Sequence, residues 1–142
     1  MKRVCMLAIS LLAVMTVSAI ELPEIIGDNM MLQQNTSARL WGWAEKGHYV
    51  TVRTGWDNKS YTAQTDAEGR WEVSVQTPVA SFEQYSLTFS EYASAPKKNS
   101  KAVDEKTING VLAGEVWFCS GQSNMEMPLG GFWNCPTEGA NE

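Results

Sequence analysis

The sequence predicts an antiparallel β-sandwich over residues 20–110, followed by the opening strand of a second, α/β domain. Three observations lead there. Short segments between residues 22 and 91 carry apolar side chains at every second position, which gives a strand one buried face. Turn-forming clusters punctuate them roughly every 8–12 residues, with no helical periodicity between. Composition changes at Thr107, and residues 111–119 (VLAGEVWFC) are nearly continuously apolar, the pattern of a strand covered on both faces.

The elements follow in order. Residues 37–43 (SARLWGW) form a Trp-rich strand, and Glu45-Lys46-Gly47-His48 is its turn. In residues 49–54, Val50 and Val52 share one face while Thr51 and Arg53 take the other. GWDNK, residues 55–59, is a second turn, and residues 60–65 a further short strand. Asp66-Ala67-Glu68-Gly69 has the Asp-first, Gly-last composition of a type I turn. Beyond it, Trp71, Val73 and Val75 face opposite to Glu72, Ser74 and Gln76. Tyr85, Leu87 and Phe89 repeat this against Ser86, Thr88 and Ser90. One-sided strands of this length and spacing are those of an immunoglobulin-like sandwich. Residues 92–106 (YASAPKKNSKAVDEK) are polar and hold Pro96, and read as a solvated loop or late hairpin insertion.

The apolar run 111–119 then predicts the first strand of a parallel sheet. About 30 residues follow its start, where an α/β domain needs on the order of 100. The expected organisation is therefore 1–19, 20–110 and 111–142, the last an incomplete domain.

Residues 1–19 are a leader by pattern. Met1-Lys2-Arg3 is a basic start, residues 4–16 are apolar, and Val17-Ser18-Ala19 puts small residues at the −3 and −1 positions. The expected cut follows Ala19, and the expected location is secreted or periplasmic, with no membrane attachment after cleavage. Removing Lys2 and Arg3 leaves nine basic against sixteen acidic residues, a net charge of −7. An acidic chain without a basic cluster is a poor partner for phosphate backbones, which argues against nucleic acid. Cys119 and Cys135 remain, too few for a disulfide scaffold whether or not they pair. No ligand set for a metal or cofactor stands out, and none is expected.

The apolar run leads straight into Ser120-Gly121-Gln122-Ser123. Nucleophilic serines sit where a buried strand ends at a sheet's carboxyl edge and nearby N–H groups face a developing oxyanion. Gly121 permits the sharp turn, and Gln122 and Asn124 supply amides that position the loop or a substrate carbonyl. The GxSxG elbow is absent, because Met125 stands where its second glycine belongs. A bare Gly-x-Ser of this kind is more often an ordinary turn.

The longer string GEVWFCSGQSNMEMPL resembles the first sequence block of the sialate O-acetylesterases, a branch of the SGNH/GDSL-type hydrolases with Gly-Gln-Ser-Asn-Met at this point. DNMMLQQ, LWGWAEKGHYVTV and TDAEGRWEVSV resemble the β-sandwich that precedes the hydrolase domain there, and GFWNCPTEGANE its continuation. The resemblance implies that Ser123 is the nucleophile and that its backbone N–H is one oxyanion donor. It implies removal of O-acetyl groups from sialic acid or other acetylated sugars through an acetyl-enzyme. It also implies a three-layer α/β hydrolase domain of which residues 111–142 are the first strand and nucleophile loop. The family's later glycine and asparagine oxyanion residues and its Asp-x-x-His pair have no counterparts among these residues. The chain on its own is accordingly expected to be inactive.

A serine needs a base. His48 is the single histidine, and it is expected in a solvent-facing turn instead. Glu126 is expected as a surface charge and Cys119 as a buried thiol. Trp41, Trp43, Trp56 and Trp71 are expected in the core more than as a sugar-stacking platform. Asn35-Thr36-Ser37 and Asn58-Lys59-Ser60 match the N-glycosylation pattern. The competing function is a non-catalytic β-sandwich module that packs on or binds a carbohydrate-associated partner.

Overall fold

The alternating segments pair into two sheets. The computed structural model describes residues 20–122 and 126. Seven strands follow in order: β1 (Met31–Gln33), β2 (Ser37–Trp43), β3 (Tyr49–Thr54), β4 (Ser60–Gln64), β5 (Arg70–Gln76), β6 (Ser81–Tyr92) and β7 (Asp104–Gly114). The fold is all-β. One sheet has the order β1-β7-β6-β3-β4, and the other is the β2-β5 pair. All neighbours run antiparallel except β1 and β7, which pair in parallel from Met31↔Leu112 to Gln33↔Gly114.

The two sheets share one core. Val50, Val52, Leu87 and Phe89 enter it from the larger sheet, and Leu40, Trp71, Val73 and Val75 from the smaller. All eight are buried; seven of them, all but Leu40, are the side chains expected to face inward. Trp71 and Phe89 meet across the gap, ring centroids 5.8 Å apart and tilted by 49°. Packing is close enough to dictate a glycine. A Cβ on Gly42 would lie 2.3 Å from the Glu21 carbonyl oxygen and 2.9 Å from the Trp71 ring. The absent side chain lets residue 21 form its bridge to Trp43, with N–H···O bonds of 2.9 Å both ways.

The turns are those the composition predicts. Asp66 accepts from the amides of Glu68 and Arg70, an Asx arrangement, and the Gly69 N–H returns to its carbonyl. In the 55–59 turn, Asp57 accepts from Thr54 and Lys59, and Asn58 takes a φ of 57°. The Thr54 hydroxyl, and Lys59 after it, hold the Asp57 carboxyl below its ordinary pKa. The polar stretch after Tyr92 connects β6 to β7, closed by Ser100 N–H to the Lys97 carbonyl.

Several expectations are corrected. The strand foreseen at 111–119 in a new parallel sheet is instead the end of β7, which runs unbroken through residues 110 and 111 to Gly114. Val111 and Ala113 are buried, whereas Val116, Trp117 and Phe118 are exposed and 115–122 lie in no strand. A run this nearly continuous in apolar residues, broken only by Glu115, does not reveal that its first half belongs to the sheet and its second half leaves it. Cys119, expected as a buried thiol, is exposed for the same reason. Of the four tryptophans expected in the core, Trp71 is fully buried, Trp41 and Trp56 are half-buried against it, and Trp43 is exposed. Trp56 serves as a brace, donating its indole N–H to the Gln76 carbonyl at 2.9 Å and meeting Tyr85 edge-on.

Candidate active site

Gly114 is the last strand residue before the serine, and the chain is clamped as it leaves the sheet. The parallel β1 strand supplies the clamp. The Gln34 N–H donates to the Gly114 carbonyl at 2.8 Å. The Glu115 carboxylate accepts from the Gln33 side-chain amide at 2.9 Å and from that of Gln34 at 2.6 Å. Gln33 closes the loop by accepting the Val116 N–H on its Oε1 at 2.8 Å. These bonds, the Gln33 amide first and the Gln34 amide second, hold the Glu115 carboxyl below the usual glutamate range. Residues 117–122 follow without regular structure and exposed.

Gln122, foreseen as loop support, is exposed. Ser123 and Asn124, the expected nucleophile and the second amide, lie outside the described residues, as does Cys135. Glu126 is exposed, in keeping with a surface charge. Beside the clamp lies an open, mainly apolar groove of about 340 Å³ between Met31, Phe82 and Leu112, with Glu115 at its rim. Among the described residues no three side chains are grouped to hold a metal ion.

His48 is not the free turn residue expected. Its Nδ1 lies 2.6 Å from Oε1 of Glu91, a carboxylate with no exposure to solvent. The Glu45 N–H donates to the same oxygen at 3.1 Å. Register places this pair at the far end of the large sheet. Ala113 pairs with Ser81, ten residues before Glu91 on β6, a separation of roughly 30 Å along a strand. The eight residues from Val116 to Ser123, seven Cα–Cα steps, span at most about 25 Å when fully extended. His48 is therefore a poor candidate for a base to Ser123.

The clamp was not foreseen from sequence. Gln33 and Gln34 lie more than 80 residues from Glu115 in the chain, and only the parallel β1–β7 pairing brings them together.

Comparison with known proteins places this architecture. No family profile matches the chain. It is 31% identical over 123 residues to human sialate O-acetylesterase, a match that covers 82% of this chain and 22% of the relative. It also superposes on the crystal structure of a carbohydrate acetylesterase from Xanthomonas citri, with a TM-score of 0.61 and 30% identity. That match covers 78% of this chain and 22% of the other. The chain thus spans about a fifth of the length of these relatives. The sequence is thus related to a sialate O-acetylesterase, the family that its Gly-Gln-Ser-Asn-Met string resembles, and the fold to a carbohydrate acetylesterase.

Proposed function

We propose that these residues are the N-terminal part of a secreted serine esterase that removes acetyl groups from O-acetylated sugars, sialic acid first among them. The observation that carries the reading is the 31% identity to sialate O-acetylesterase over most of the chain. The string GQSNM, residues 121–125, supports it from within the sequence. In this reading the two sheets are an immunoglobulin-like sandwich in front of an SGNH-type α/β domain.

The chemistry follows from the residue types. Ser123 Oγ attacks the acetyl carbonyl carbon while a base takes its proton. The Ser123 N–H stabilises the oxyanion, and Gln122 and Asn124 hold the loop or the carbonyl in place. Collapse of the intermediate breaks the bond to the sugar oxygen, which leaves as a hydroxyl by taking the proton the base holds, and an acetyl-enzyme remains. Water then attacks the acetyl group and releases acetate. The Gln33–Glu115–Gln34 clamp fixes the stem from which the nucleophile loop departs. The base belongs to residues outside 1–142, and no metal or cofactor is required.

In the complete protein, Ser123→Ala should lower kcat by several orders of magnitude and leave substrate binding nearly unchanged, since no acetyl-enzyme can form. Residues 1–142 alone should hydrolyse p-nitrophenyl acetate no faster than their own Ser123→Ala variant. A complete protein whose Ser123→Ala variant retains full esterase activity would overturn the assignment.

A further inference from the structure

Ile20 is 3% exposed, and its backbone N–H donates to Oδ2 of Asp104 at 2.8 Å. Glu21, the next residue, is bonded to Trp43 in both directions over the glycine that makes room for it. Residue 20 is thus held at a fixed place, with its nitrogen on a half-buried carboxylate.

The surroundings hold more negative charge than donors. Glu91 pairs with Asp104 across β6 and β7, so their side chains share a face. Like charges directly opposite each other in a sheet repel. Glu91 is fully buried and its Oε2 has no hydrogen-bond partner, while Oε1 is taken by His48 and by the Glu45 N–H. A peptide nitrogen at Ile20 brings one proton and no charge to this place. An α-ammonium brings three protons and a positive charge.

We propose that Ile20 is the first residue of the mature protein and that its α-ammonium forms a buried ion pair with Asp104, fastening the new N-terminus to the start of β7. The inference rests on the leader reading of residues 1–19, and so on the export invoked above. A leader peptidase hydrolyses the Ala19–Ile20 bond with one water. The C–N bond breaks, Ala19 keeps a carboxylate, and the Ile20 nitrogen becomes an ammonium. Cleavage precedes folding, so the burial of Ile20 does not hinder it. Export and folding are coupled in consequence, because the ammonium that pairs with Asp104 exists only after processing.

The test uses the complete protein, expressed with its leader and recovered after export. Intact mass and N-terminal sequencing should read Ile20 as the first residue. The rate of α-amine acetylation against pH then gives the pKa of that amine. An ion pair raises it above the free-chain value of about 7.7–8.0, whereas burial without an anion lowers it. The expected result is a raised value that falls in Asp104→Asn, where His48 and Glu91 remain in place. If Asp104→Asn does not fold, the wild-type titration decides alone. A first residue other than Ile20, or an α-amine at or below its free-chain pKa, overturns the proposal. Loss of Ser123-dependent activity is read separately. An Ile20 start with a raised pKa in a protein lacking that activity would sink the esterase reading and leave this one standing.

Discussion

The Nδ1 of His48 lies 2.6 Å from Oε1 of Glu91, joining the turn after β2 to a carboxylate buried near the end of β6. The contact is a hydrogen bond in which one of the two groups donates to the other. Removing a partner from a buried carboxylate costs the penalty of leaving it unsatisfied. His48→Ala should therefore destabilise the protein by roughly 1–3 kcal/mol in urea denaturation. Its effect on kcat in the complete protein should be small, because the imidazole is committed to Glu91 at the opposite end of the sheet. A large loss of kcat at unchanged stability would make His48 the base after all.

Val73 and Glu72 are neighbours on β5 with opposite fates. Val73 sits in the core between the sheets, while Glu72 is exposed between Arg39 at 3.2 Å and Arg70 at 3.6 Å. Val73→Ala removes buried methyls and leaves a cavity, a loss of roughly 1–3 kcal/mol. Glu72→Ala breaks only exposed ion pairs, whose contribution is about 0–1 kcal/mol. Chemical denaturation of both variants should separate them clearly. Equal losses would mean that the strand faces the other way.

Glu115 predicts a response to acid at the root of the nucleophile loop. Amide donors from Gln33 and Gln34 lower its folded pKa, so the contribution of its bonds is fully present above the ordinary glutamate value of about 4.3. It is lost as pH falls through the lowered folded value. Glu115→Ala at neutral pH should mimic that state. Hydrogen exchange at the Val116 amide, which donates to Gln33, should speed up while Val52 and Phe89 in the core stay protected. Unchanged exchange at Val116 would show that the clamp does not hold the stem. Global stability should change little, because the carboxylate is exposed.

The sequence by itself determined which way the side chains of β3 and β5, and the Leu87 and Phe89 side chains of β6, point. A period of two assigns alternate residues to opposite faces, and an apolar set can be buried only on one of them. That is why Val50, Val52, Trp71, Val73, Val75, Leu87 and Phe89 were legible as core, and why Asp66 to Gly69 was legible as a turn. Ser123 is read as a candidate nucleophile from the string GQSNM, which resembles the first block of the sialate O-acetylesterases, because the glycine and amides around it fit an ordinary turn equally well. Only the tertiary structure decided which strands become neighbours. Local alternation carries no record of a hydrogen bond to a residue 80 positions away, so the parallel pairing of β1 with β7 and the clamp on Glu115 had no signature. The same limit hid the assignment of residues 111–114 to the first sheet, since a nearly continuous apolar run fits several surroundings. It hid the pairing of His48 with Glu91 as well: a turn histidine is ordinarily solvated, and burial of its partner is set by strands that arrive from elsewhere in the chain.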